Sequence, residues 1–137
     1  MPIVTPQQLE DDAYRTLASF RYELRRFLHF SEEAAAKAGI TAQQHQALLA
    51  LRAADGAEML IGALAERLLL KPHSTTELVN RLALADLVER QADPDDARRV
   101  RIRLTRTGNA RLAALSEAHR AELQRLRPLL GDLLARL

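Results

Sequence analysis

The residues best suited to binding a ligand are arginines that alternate with aliphatic residues in the second half of the chain. They follow an acidic segment with a proline, Asp93-Pro94-Asp95-Asp96, which is typical of a turn. One face of the following strand would carry Arg99, Arg101 and Arg103. The other would carry Val100, Ile102 and Leu104. The pattern predicts a solvent-exposed β-hairpin with one buried face. A basic hairpin on a helical protein is suited to contacting phosphates, so the sequence predicts a DNA-binding protein.

Other chemistries lack the residues that they need. The four histidines are scattered, and no pair has the spacing of a zinc site. The aspartates at 93, 95 and 96 lack the glycine and glutamate of a calcium loop, so a hairpin turn is the favoured interpretation. No Ser/His/Asp arrangement or glycine-rich phosphate loop is present, and there is no cysteine. We therefore expect neither an enzyme nor a bound metal or cofactor.

Composition indicates a single helical domain. The chain has 137 residues, of which 47% are hydrophobic but only 4% aromatic, so leucine and alanine must fill the core. The net charge is only +2, and affinity for nucleic acid must therefore come from a local basic patch. No apolar run approaches the roughly 20 residues that span a bilayer, and no cleavable signal is visible. We expect a soluble, cytoplasmic protein without a membrane partner.

The first third of the chain predicts helices. Thr5-Pro6 predicts a helix start, and the apolar residues after it recur at spacings of three and four to about Phe30. Those residues are Leu9, Ala13, Leu17, Phe20, Leu24 and Phe27. Ser31 is predicted to cap a short second helix over 32–38 that ends at Gly39. Thr41 with Gln44 predicts a capping box at the start of the next helix.

The middle of the chain predicts two short helices with a strand before them. Asp55-Gly56 indicates a turn, 58–60 a short strand and 61–69 a helix. Pro72 begins the next helix, which runs to about residue 85 and carries a polar outer face. That face comprises Ser74, Thr75, Thr76, Asn80 and Arg81. A capping box formed by Ser74 and Glu77 is the alternative, and it would place the helix start later.

The end of the chain predicts the hairpin and further helices. The first hairpin strand begins at Leu87, and Thr105 is predicted to cap a long helix that Pro128 interrupts before a last leucine-rich helix. The element order is that of a winged helix-turn-helix, a mainly α fold with a small β-hairpin wing. We predict one domain over 1–137, with dimerisation helices at about 5–38 and 106–137 and a DNA-binding unit at about 40–105. Two copies of the terminal helices would bury each other's apolar faces in a homodimer.

Several segments resemble the MarR family of transcriptional regulators, and the resemblance covers nearly the whole chain. They are Gly39-Ile40-Thr41 with Gln44, Leu64–Leu68, Leu78–Leu82, Leu87–Arg90, and the wing signature Asp93-Pro94, Asp96, Arg98, Leu104-Thr105 and Gly108. The chain departs from the family pattern in three places. Ala85-Asp86 replaces a usual glycine, Ala97 stands where arginine is common, and the thiol of the oxidant-sensing branch is absent.

The resemblance implies roles for the wing residues. Arg98 would enter a minor groove, where arginines read groove width, and Asp96 would orient it. The alternative for this pair is an ordinary surface salt bridge. The polar helix face would contact base edges and phosphates in a major groove, although Arg81 could equally pair within the protein. The predicted DNA-binding residues are His73, Ser74, Thr75, Thr76, Asn80, Arg81, Asp96, Arg98, Arg99 and Arg101.

The predicted function is a homodimeric repressor that binds double-stranded DNA. A two-fold dimer predicts a pseudo-palindromic operator with half-sites about 10 bp apart, or a multiple of that spacing. The alternative is a winged-helix module that binds protein and not DNA. The resemblance also implies a pocket for a small aromatic or apolar ligand between the terminal helices and the winged domain. Its predicted lining is Arg26, Phe27, Phe30, His45 and Leu48.

Overall fold

The computed structural model describes residues 8–137, which fold into five α-helices and three β-strands. The helices are α1 (Asp11–Lys37), α2 (Ala42–Ala53), α3 (Ile61–Leu68), α4 (Pro72–Leu84) and α5 (Arg106–Ala135). The strands are β1 (Glu58–Leu60), β2 (Val88–Ala92) and β3 (Val100–Leu104). The mainly α fold with a small sheet is thus confirmed. The predicted helix start at Thr5-Pro6 lies outside the described residues. No helix within residues 8–137 has the length and apolar character needed to cross a membrane.

The chain divides into two compact units. The terminal unit comprises Met1–Ser31, described from residue 8 onward, and His119–Leu137. The winged unit comprises Glu32–Ala118. Both α1 and α5 contribute residues to each unit, whereas the other helices and the sheet lie wholly in the winged unit.

The winged unit has one apolar core, built from every one of its elements. Its fully buried side chains are mostly leucine and include Leu48, Leu51, Leu64, Leu82 and Ile102. Removing one such side chain from water stabilises a fold by about 1.5–3 kcal/mol. The core therefore fixes the relative positions of α2, α3, α4 and the sheet.

The sheet is antiparallel with the strand order β1-β3-β2. Ile102 of β3 lies opposite Met59 on one side and Arg90 on the other, and it is fully buried. Leu104 is also buried and Val100 is half-buried, which confirms the predicted inner face of the hairpin. We call the segment 88–104 the wing, and residues 93–99 the wing loop.

Two helix starts that the sequence predicts are confirmed. The Thr41 hydroxyl accepts a hydrogen bond from the backbone N–H of Gln44 at 3.1 Å, and the Gln44 side chain accepts one from the backbone N–H of Thr41 at 2.9 Å. This is the predicted capping box. The Thr105 hydroxyl accepts from the Gly108 N–H at 3.0 Å and donates to the Asp86 carbonyl at 2.7 Å. Thr105 thus begins α5 and also ties it to the end of the α4–β2 turn.

Two predicted helix ends are wrong. Helix α1 continues past Phe30 to Lys37, and Ser31 is a buried residue inside it whose Oγ lies 2.8 Å from Nε2 of His119. Ser31 has a side-chain partner on α5, so the chain needs no helix break there. Helix α5 continues through Pro128 to Ala135. Proline removes one helical hydrogen bond, but the adjacent turns on both sides continue, and buried Leu126 anchors this part of the helix in the terminal unit.

The terminal unit is held by contacts between α1 and α5. The His119 ring packs edge-on against Phe27, at 6.1 Å between centroids, and Phe30, at 5.6 Å. Glu122 pairs with Arg125 at 2.7 Å. The hydrogen bond from Arg125 lowers the pKa of Glu122 against the opposing effect of burial, and the nearby charges of Arg125 and Arg26 lower it further. Aromatic contacts and the Ser31–His119 hydrogen bond therefore join the two helices, whereas the Glu122–Arg125 pair lies within α5.

Candidate nucleic-acid interface

Helix α4 presents one polar face to solvent and one face to the core. Pro72 occupies its first turn, as predicted, so the alternative start at Ser74 does not apply. Leu78, Val79 and Leu82 are buried in the winged core. The exposed face has the helical spacing of three and four residues and comprises His73, Thr76, Glu77 and Asn80. On this face His73 Nε2 lies 3.4 Å from Glu77 Oε1.

The structure places Thr75 differently from the sequence prediction. Its side chain is fully buried, and its hydroxyl donates to the Lys71 carbonyl at 3.0 Å. Thr75 lies on the same side of α4 as Leu78 and Val79, so its methyl group packs in the core while the hydroxyl is satisfied by the helix backbone. The predicted polar face included it because threonine is compatible with either environment. Thr75 is therefore a core residue and not part of the exposed face.

Ser74 and Arg81 flank the exposed face on the side of α2. Both side chains are exposed, and together with Glu77 they line a cleft of about 480 Å³ whose other wall includes Thr41 and Gln44. Within residues 8–137 Arg81 forms no ion pair, so the structure favours an available cation over the internal pair that the sequence left open.

The wing loop holds Arg98 in an extended, accessible position. The Arg98 side chain is 92% exposed. Asp96 accepts hydrogen bonds from the Arg98 backbone N–H at 3.0 Å and from its Nε at 3.2 Å. The loop is closed by hydrogen bonds from the Arg99 N–H to the Asp96 carbonyl and from the Asp93 N–H to the Arg99 carbonyl, both at 3.0 Å. An exposed pair of this kind adds at most about 1 kcal/mol of stability.

Asp93 is a buried carboxylate at the base of the wing loop that the sequence analysis did not assign as a site. It accepts from the Asp95 N–H at 3.3 Å and lies 3.3 Å from Arg101 and 3.7 Å from Arg99. Burial alone would raise its pKa. The Asp95 hydrogen bond and the guanidinium groups of Arg101 and Arg99 outweigh that effect, so the pKa of Asp93 lies below its usual value. Asp93 is therefore ionised at neutral pH.

The outer face of β3 is partly neutralised by carboxylates. Arg101 lies between Asp93 and Glu58, with its nitrogens 3.3 Å and 3.2 Å from their oxygens, and its side chain is only 29% exposed. Arg103 pairs with the same Glu58 at 3.2 Å. The sequence predicted these arginines on the outer face but missed Glu58, because the pairing of β1 with β3 joins residues more than 40 positions apart.

The predicted ligand-pocket residues are distributed over both units. In the terminal unit Arg26 lies 3.8 Å from Glu23, while Phe27 and Phe30 pack on His119. In the winged unit His45 and Leu48 are buried. A shared pocket for these five residues stays a prediction. Within residues 8–137 no group of three or more potential ligands is arranged to hold a metal ion.

Comparison with known proteins identifies the fold. Residues 38–99 match the sequence model of the MarR family. No curated protein sequence matches the chain. Among solved structures, AbsC, a MarR family transcriptional regulator from Streptomyces coelicolor, is similar with a TM-score of 0.77 and 20% identity over 94% of this chain and 99% of AbsC.

Two further structures extend the comparison. The MarR family transcription regulator SP03579 has a TM-score of 0.77 and 26% identity over 92% of this chain and 83% of its own. Sco3205, a MarR family regulator from Streptomyces coelicolor solved in complex with DNA, has a TM-score of 0.78 and 17% identity over 96% of this chain and 88% of its own. The matched segment and the shared architecture together show that this chain resembles the MarR family and has the winged-helix fold of its transcriptional regulators.

Proposed function

We propose that the protein is a transcriptional regulator that binds double-stranded DNA. One observation carries this proposal: the winged unit presents both an exposed polar face on α4 and a 92% exposed arginine on the wing loop. Short polar side chains on a helix suit the edges of bases in a major groove, and an arginine on a hairpin suits a phosphate or a minor groove. Sco3205, which shares the fold, was solved in complex with DNA, and this supports DNA binding by the present protein.

The residues of the interface follow from their exposure. His73, Thr76 and Asn80 are proposed to face the bases, and Ser74 and Arg81 to contact the flanking backbone. Arg98 contacts the groove beside the wing, with Asp96 orienting its guanidinium group. Arg99 and Arg101 stay within the proposal as weaker phosphate contacts, because both are already paired with Asp93.

A homodimer is the proposed active form. Within the terminal unit, ten large apolar side chains are each at least 38% exposed in the single chain. They are Leu9, Tyr14, Leu17, Tyr22, Leu24, Leu28, Leu123, Leu129, Leu134 and Leu137. Monomeric proteins rarely leave so many large apolar groups of one small unit in water, and a second copy would cover them. Two copies of α4 then predict a pseudo-palindromic operator, where occupancy by the dimer would repress transcription.

The test is selection of DNA fragments from a genomic library, followed by binding measurements on the recovered sequence. The proposal predicts an enriched two-fold motif that Thr76→Ala with Asn80→Ala relaxes at defined positions, by about 1–3 kcal/mol per lost base contact. Thr107→Ala with Asn109→Ala, exposed polar residues at the start of α5, is the matched control and should retain the motif. If no motif is enriched, and if DNA binding does not depend on salt, the result would instead support the alternative of a winged-helix module that binds protein and not DNA.

A further inference from the structure

Three of the four arginines in the segment 98–103 are paired with two carboxylates of the winged unit. Arg99 and Arg101 lie 3.7 Å and 3.3 Å from Asp93, and Arg101 and Arg103 each lie 3.2 Å from Glu58. The side chain of Asp93 is only 1% exposed and that of Glu58 only 21% exposed. These pairs are therefore partly withdrawn from water, unlike mobile surface salt bridges.

The sheet itself places Glu58 against these arginines. In the antiparallel pairing of β1 with β3, Glu58 lies directly opposite Arg103, and Leu60 lies opposite Arg101. Residues two apart on a strand share a face, so one carboxylate on β1 reaches both guanidinium groups. Arg103 contacts it through two nitrogens, Nε at 3.3 Å and Nη2 at 3.2 Å.

An arginine that is already paired gains little from a phosphate. A phosphate contact strengthens DNA binding by releasing a condensed counterion, which requires a cation not already neutralised by the protein. Arg101 and Arg103 must leave Glu58, or share it, before they can make such a contact. Arg98 is also paired, with Asp96 at 3.2 Å, but its side chain is 92% exposed, so this pair is weak and leaves the guanidinium group accessible to a ligand.

We propose that Glu58 and Asp93 are specificity-determining residues that weaken the contacts of Arg99, Arg101 and Arg103 with DNA phosphates. The carboxylates would lower the affinity of the wing for DNA of any sequence and leave its affinity for the operator to Arg98 and α4. This inference rests on the proposed function, since it concerns how the same surface discriminates among DNA sequences.

The decisive variant is Glu58→Gln, which keeps the shape of the side chain and removes its charge. We expect its affinity for random-sequence duplex DNA to rise roughly fivefold at 0.15 M salt, with a salt dependence steeper by about one counterion. Its preference for the operator over random DNA should fall accordingly. Glu66→Gln on α3 is the control, because Glu66 is exposed and forms no ion pair within residues 8–137.

A double-mutant cycle separates freed arginines from the general loss of negative charge. Arg103→Gln should change random-DNA affinity little in the wild type but should remove much of the gain in the Glu58→Gln background. Thermal melting of all four proteins establishes that each is folded under the binding conditions. Arg103 is half-exposed, so we expect Arg103→Gln alone to fold. This variant can then be compared with the wild type even if Glu58→Gln is less stable.

The possible results have distinct meanings. The inference is supported if affinity for random DNA rises more in Glu58→Gln than in Glu66→Gln, and if Arg103→Gln removes that extra rise. Two results overturn the inference but not the proposed function, provided that the wild type binds the operator. One is an equal rise in affinity for random DNA in Glu58→Gln and Glu66→Gln. The other is an equal effect of Arg103→Gln on that affinity in the wild type and in Glu58→Gln. Absence of DNA binding in the wild type and in Glu58→Gln alike overturns both.

Discussion

At the scale of residues, exposure divides the arginines of the wing into two kinds. Arg98 is 92% exposed and pairs with Asp96, whereas Arg101 is only 29% exposed and lies between Asp93 and Glu58. The alternating sequence predicts Arg99, Arg101 and Arg103 together on the outer face, since it shows which face each lies on but not which carboxylate it contacts. The difference arises from contacts between strands that are distant in the chain.

Replacing Arg98 with alanine is expected to weaken DNA binding without unfolding the protein. The side chain makes no core contact, so the melting temperature should stay within a degree or two of the wild type. The salt dependence of binding should decrease by about one counterion if the contact is to a phosphate. Arg127→Ala, an exposed arginine of the terminal unit, removes the same charge and serves as the control. Equal affinity and salt dependence for Arg98→Ala and the wild type would exclude a wing contact by this residue.

The lowered pKa of Asp93 predicts a pH dependence of stability. In the unfolded chain an aspartate titrates near pH 3.9, and in the fold its pKa is lower. The folded state therefore gains stability from the ionised carboxylate above about pH 4, and loses it as the pH falls through the folded-state pKa. Melting measured from pH 7 to pH 2.5 should show a steeper acid-side loss for the wild type than for Asp93→Asn. Parallel curves for the two proteins would show that Asp93 contributes nothing through its charge.

At the scale of elements, the junction between the sheet and α5 requires a glycine at position 108, because there is no room there for a side chain. A Cβ at Gly108 would lie 2.1 Å from the Leu87 carbonyl oxygen and 2.8 Å from a methyl group of Leu104. The same carbonyl accepts a hydrogen bond from the Thr105 N–H at 3.1 Å, so Leu87, just before β2, is bonded to the residue just before α5. Backbone atoms on both sides leave little freedom to relax.

Gly108→Ala is therefore expected to destabilise the winged unit by about 1–3 kcal/mol, as overpacked substitutions do. Gly62 provides the matched control, because it lies inside α3 and a Cβ there has no atom within 4 Å. Gly62→Ala should stabilise the protein by up to about 1 kcal/mol through the better helix propensity of alanine. Chemical denaturation of both variants checks the opposite signs. A neutral Gly108→Ala would show that β2 and α5 can separate at low cost.

Local sequence signals predicted element starts better than element ends. The capping box at Thr41, the proline in the first turn of α4 and the cap at Thr105 are short-range patterns, because the residues that form each pattern lie within a few positions of one another. The predicted break at Ser31 failed because its hydroxyl is satisfied by His119, which is 88 residues away. The turn before β2 shows a similar limit, since Asp86 adopts a φ of +61° where the family pattern has a glycine. For the candidate interface, spacing predicted the polar face of α4 and the family resemblance predicted a role for Arg98, but only the fold could place Thr75 inside and Glu58 beside β3.

At the scale of the whole molecule, the exposed apolar side chains of the terminal unit are the observation behind the proposed dimer. Leu129 and Leu134 are 42% and 54% exposed in the single chain, so charging them costs an isolated protomer little. Leu129→Arg with Leu134→Arg should shift the proposed dimer toward a 15.3 kDa monomer in analytical ultracentrifugation. Leu84→Arg makes the same substitution at an 89% exposed leucine of the winged unit, and this control variant should remain dimeric. A wild-type protein that sediments as a monomer at micromolar concentration would refute the dimer.

The central claim is that the winged unit binds DNA through α4 and Arg98, and it is tested most directly by one binding measurement. Fluorescence anisotropy would follow the wild type and a combined Asn80→Ala, Arg98→Ala variant on a selected genomic duplex and on random DNA, each at 50 mM and 200 mM salt. We predict that the wild type prefers the selected duplex, that its affinity falls steeply with salt, and that the folded variant loses most of that preference. Equal affinity of the wild type for both duplexes, or a variant that retains the full preference, would contradict the account.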